Sequence, residues 1–125
     1  MAIKIDIKKT YIPVEIGDLK LKFHYNDESL FVIKDKLTEA QEELLALDET
    51  DLEMEEMVKE RNKVLKKAYD GLFEEGTFDK IWEMSPSSVA IYSYFNEIVE
   101  GLLGELEELG LLTQDGDLVK QYTND

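Results

Sequence analysis

Glu39 with Glu43 and Glu56 with Glu60 each lie one helical turn apart, which puts two carboxylates on one helix face. That spacing can offer oxygens to a metal ion, or an acid and a base to a substrate. A bundle site for two metals also needs a Glu-x-x-His motif, and the single histidine, His24, has none around it. Asp115-Gly116-Asp117 resembles a fragment of a calcium loop but lacks oxygen ligands at alternate positions and the closing Glu, so it reads as a turn. The chain has no cysteine, which removes thiolate metal sites, disulfides and a cysteine nucleophile. It also contains no phosphate-cradling glycine loop and no nucleophile elbow. The sequence therefore reads as non-enzymatic, with no catalytic residue, metal site or cofactor.

Aromatic side chains are the other candidates for work. Between Tyr69 and Pro86 the chain concentrates Leu72, Phe73, Phe78, Ile81, Trp82 and Met84, and Trp82 is its only tryptophan. Gly76 offers a positive φ, Thr77 is a helix-capping type, and Ser85-Pro86 can restart a helix. The stretch reads as helix, stop, short helix, corner, helix. Apolar residues at such spacing usually form core. Their excess here nevertheless points to binding of another polypeptide, with Phe78, Trp82, Tyr92 and Phe95 as the candidate contact residues.

Charge narrows the partner. Against 14 Lys and Arg stand 29 Asp and Glu, for a net of −15. Up to Tyr25 five lysines meet three acids, net +2, so the remainder carries −17. Clustered lysine and arginine are what phosphate binding requires, so nucleic acid and anionic membrane are excluded as partners over most of the surface. Lys59, Lys63, Lys66 and Lys67 form the one basic patch, expected to pair with acids of the helix before it or with Glu55. No apolar run approaches the roughly 18 residues of a membrane span, and MAIKIDIKK lacks a signal-peptide core, so a cytoplasmic protein is expected.

The elements that would position these residues follow from periodicity. Ile3, Ile5 and Ile7 alternate with Lys4, Asp6 and Lys8, which predicts a short strand. Ile12, Val14 and Ile16 alternate before Gly17-Asp18, and Leu19, Leu21 and Phe23 after it. A two-residue type II′ turn then pairs 16 with 19, 14 with 21 and 12 with 23, all six on one face, with Glu15 opposite Lys20. Pro13 lacks a donor and makes its strand an edge.

Beyond Asn26 a helix carries Leu30, Ile33, Leu37, Ala40, Leu44 and Leu47 in 3,4 alternation. Thr50 with Glu53 matches a capping box, so a second helix is expected near Asp51, with a stripe of Met54, Met57, Val58, Val64, Leu65, Ala68, Leu72 and Phe73. The last helix, Ser85 to Leu109, carries Tyr92, Phe95, Val99, Leu102, Leu106 and Leu109, widened by Val89, Ile91, Ile98 and Leu103. Gly101 and Gly104 inside it imply a neighbour packed close to the backbone. The sum is a mainly α protein with a small N-terminal β-hairpin (α+β), a helical bundle of three to four helices. Residues 1–110 form a single domain, with the hairpin over 11–24 and helices from about 27 to 109, and 111–125 a flexible C-terminal tail. The spare apolar surface implies a homo-oligomer.

The hairpin YIPVEIGDLKLKF, the long helices and above all GLFEEGTFDKIWEMSPSSVAIYSYFNEIVEGL resemble the small tail assembly chaperones of long-tailed bacteriophages (siphophages) infecting Gram-positive hosts. The resemblance runs from about Lys9 to Leu103 and is most specific at Gly71 to Pro86. It implies a non-enzymatic, oligomeric protein of the host cytoplasm. Such a protein coats the tape measure protein while tail tube protein polymerises around it, and is absent from the finished particle. An acidic DNA mimic and a plain oligomeric adaptor are the alternatives the residues leave open.

Overall fold

The computed structural model describes residues 1–112. Strand β1 (Tyr11–Ile16) pairs antiparallel with β2 (Leu19–His24), Val14 facing Leu21 and Glu15 facing Lys20, as the alternation predicts. Gly17 has φ 57° while no non-glycine residue among those described has positive φ, so Asp18 stays negative and the turn is type II′ rather than I′. Ile12, Leu21 and Phe23 are buried, with Val14, Ile16 and Leu19 packed beside them on the same face.

Four helices follow: α1 (Asp27–Asp48), α2 (Met54–Leu72), α3 (Thr77–Met84) and α4 (Ser88–Glu108). The α1 stripe is buried from Leu30 to Leu44, because 3,4 spacing keeps those side chains over one line of the core. Asn26 caps it, its Oδ1 accepting from the Ser29 amide at 2.9 Å. Helix α2 is the hub and packs against α1, α3 and α4, whereas α4 packs against α2 and β1. Tyr69 of α2 is fully buried, donates its hydroxyl to the Ile91 carbonyl at 2.9 Å and meets Phe95 edge-on at 5.5 Å.

Several expectations need correction. Helix α2 begins at Met54, not Asp51, because Thr50 Oγ1 donates to the Leu47 carbonyl at 2.7 Å and closes α1 instead of capping α2. Helix α4 is capped by Ser87, not Ser85, because Pro86 disfavours helical backbone at Ser85, which sits at φ −145°, ψ 82°, and the helix starts only beyond it. Residues 3–7 form no strand in the single chain, and Ile3, Ile5 and Ile7 are 92%, 82% and 93% exposed. The Thr10 carbonyl accepts from the Tyr25 amide and the Lys9 carbonyl from the Tyr25 hydroxyl, which holds residues 9 and 10 in line with β1 on its paired side. The space beside Gly101 and Gly104 is open, so no neighbour within the described chain explains them. At the other end Gly110, φ 76°, closes α4 with a 6→1 bond from the Leu111 amide to the Leu106 carbonyl. Leu111 and Leu112, assigned to the tail by the sequence, pack on the core. The rest of that tail and the Asp115-Gly116-Asp117 turn lie outside the described residues.

Burial pushes the Tyr69 phenol well above its ordinary range, with Tyr94 adding in the same direction. A raised folded value means the unfolded chain ionises first, so this contribution to stability is complete below about pH 10 and is lost as pH rises above it. Tyr69→Phe is expected to cost about 1 kcal/mol near pH 8 from the lost hydrogen bond and to flatten the alkaline fall in stability. Urea midpoints at both ends of that range check it. An unchanged alkaline slope would remove Tyr69 as its source.

Candidate protein-docking surface

Helix α3 is eight residues long, too short to persist without tertiary contacts. Asp70 of α2 holds its first turn, its Oδ1 accepting from the Phe78 amide at 3.0 Å. Thr77, fully buried, donates its hydroxyl to the Glu74 carbonyl at 2.6 Å. Lys66 adds an outer tie, pairing with Asp79 at 3.0 Å and Asp70 at 3.7 Å, and the Asp79 bond holds its ammonium above the ordinary lysine range. So fixed, α3 buries Phe78 and Ile81 and leaves Trp82, one turn after Phe78, half-covered and stacked on the Phe78 ring at 6.1 Å.

The four candidate contact residues thus fall into two pairs. Phe95 is fully buried and Phe78 is 6% exposed, so both belong to the core of this chain and cannot meet a partner without unfolding it. Trp82 and Tyr92 are half-buried, with apolar surface left over. Tyr92 lies under the Arg61 guanidinium at 5.8 Å, and Arg61 reaches Asp48 at 3.7 Å. Between Trp82 and Tyr92 in sequence Met84 (48%) and Val89 (69%) are exposed, and Val89 shares a helix face with Tyr92 three residues on. Val89, read as a widening of the buried stripe, is therefore surface. Its position one turn before Tyr92, and away from Ile91 and Phe95, is the signal that could have placed it.

Two concavities bear on the surface. A groove of about 690 Å³ runs between β1 and α4, its lining including Val14, Ile16, Met84, Ile98 and Leu102. A smaller cavity of about 220 Å³ lies between α1 and α2 over Leu37, Ala40, Val64, Ala68 and Phe95. Lys67 lines it together with its partners Glu39 at 3.0 Å and Glu43 at 3.5 Å.

Three of the four carboxylates in the two sequence pairs are ion-paired. Glu39 and Glu43 share Lys67, and Glu60 pairs with Lys63 at 3.0 Å. Among the described residues no three of His, Asp or Glu gather in a way that could hold a metal ion. His24 sits beside the Tyr11 ring at 5.9 Å. No helix among the described residues is long and apolar enough to cross a membrane. Compared with protein-family models, with curated proteins and with solved structures, the chain finds no match.

Proposed function

We propose that this protein is a non-enzymatic tail assembly chaperone of a long-tailed bacteriophage, working in the host cytoplasm, where it binds the tape measure protein during tail assembly. The observation that carries the reading is the corner between α3 and α4. A half-buried Trp82 is held there by Phe78 and Asp70, with Met84 and Val89 exposed near it in sequence, on a body whose charge after Tyr25 is −17. Spare apolar surface gives a long, aggregation-prone chain something to hold, and like charge keeps the complex soluble. The resemblance over Gly71 to Pro86 covers this same corner.

In vitro, the chain added to tape measure protein diluted from denaturant is expected to suppress its aggregation in proportion to the amount added. Turbidity follows the reaction. Aggregation that proceeds unchanged at excess chain would count against the proposal.

A further inference from the structure

The hairpin register leaves β1 with one unused edge. With 16–19, 14–21 and 12–23 as the hydrogen-bonded pairs, and Thr10–Tyr25 continuing the ladder, the backbone groups of residues 11, 13 and 15 point outward. Pro13 has no N–H to offer, which leaves the amides of Tyr11 and Glu15 and three carbonyls without a ladder partner. Beside that edge lies the apolar groove against α4, wide open over Gly101, where an added Cβ would meet nothing within 4 Å. Its charged lining is acidic: Glu15, Glu97 and Glu105, none of them ion-paired among the described residues.

The same chain carries a segment with the complementary pattern. Ile3, Ile5 and Ile7 project from residues 1–10 almost fully exposed, alternating with polar residues. Lys4, Lys8 and Lys9 outnumber Asp6, the opposite charge to the groove. Extended, residues 3–7 span about 13 Å, against about 17 Å for the six residues of β1. We propose that this segment of one copy adds as a strand to the free edge of β1 in a second copy. Its isoleucines then face the groove between β1 and α4, and Lys4 and Lys8, on the opposite face of the added strand, lie on the same side as Glu15.

Its own groove is not the target. Reaching it would require a reversal within residues 8–10, and Tyr25 holds the Lys9 and Thr10 carbonyls at 3.1 and 3.0 Å in the course that continues β1. The pairing uses only this chain, so its failure would leave the chaperone reading standing, and the converse also holds.

Light scattering at tens of micromolar is expected to give the wild type at least twice the 14.5 kDa chain mass. Ile3→Ser/Ile5→Ser/Ile7→Ser is expected to fall to the single-chain mass while remaining folded, because those side chains are exposed in the single chain, and to lose the concentration dependence that association gives the wild-type melting temperature. Gly101→Trp, which fills the groove from an exposed helix position, is expected to do the same. The protein has no cysteine, so a double variant Ile5→Cys/Gly101→Cys reports the partner directly, and on oxidation it should link chains to one another. A wild type at 14.5 kDa, a triple variant that keeps the wild-type mass, or a disulfide closing within one chain would each overturn the proposal.

Discussion

Phe95→Ala is expected to lower stability by about 3–5 kcal/mol, the usual range for deleting a buried aromatic side chain. Three observations set it at the high end. Phe95 is fully buried, its ring meets Tyr69 edge-on at 5.5 Å, and a cavity of about 220 Å³ already lies against it. Truncation would enlarge that cavity at the meeting of α1, α2 and α4, and the hydroxyl of Tyr69, tied to the Ile91 carbonyl, limits how far the core can collapse into it. Domains of this size are typically stable by about 5–15 kcal/mol, so the loss is a large fraction of the whole. The melting temperature should fall by roughly 10–20 °C in calorimetry. A fall of only a degree or two would mean that Phe95 is not the core residue its burial indicates.

Trp82→Ala is expected to show the opposite balance. The ring is already partly exposed, so folding loses chiefly the stacking on Phe78, about 0.5–1.5 kcal/mol, and a modest area of burial. Binding should lose more. A tryptophan anchor at an interface centre costs at least about 2 kcal/mol when truncated, roughly a 30-fold weakening of the complex. Denaturation and a binding titration on the same variant separate the two effects. Should Trp82→Ala unfold as deeply as Phe95→Ala, the ring belongs to the core and the contact surface must be sought elsewhere.

Where side chains repeat with a clear period, the fold is legible in the sequence. Alternation about Gly17-Asp18 places every hairpin partner, because a one-residue slip would turn Ile12, Val14 and Ile16 to solvent. The α1 stripe is equally plain. Element ends are less so, since they depend on which of several competing caps takes the hydroxyl: Thr50 turns back to Leu47, and Ser87 displaces Ser85. Tyr69 is absent from the apolar stripe that periodicity picks out, although it stands four residues after Leu65 and three before Leu72, a spacing that signals the buried face. Its polar tip hides it, because only the fold shows that the tip reaches the Ile91 carbonyl. The aromatic candidates cannot be sorted into core and surface from sequence. All four recur at helical spacing, and the division depends on how α3 and α4 meet at Pro86. Gly101 and Gly104 mislead for a related reason, since a helix glycine beside a packed neighbour and one beside an open groove look alike in sequence.

The most direct test of the chaperone role is co-expression of this chain with the tape measure protein encoded in the same genome, followed by recovery through a tag on this chain. Tape measure protein is expected to become soluble and to be retained by the wild type, and retention is expected to drop sharply with a folded Trp82→Ala variant. Recovery of the wild type alone, with the tape measure protein left in the insoluble fraction, would contradict that role.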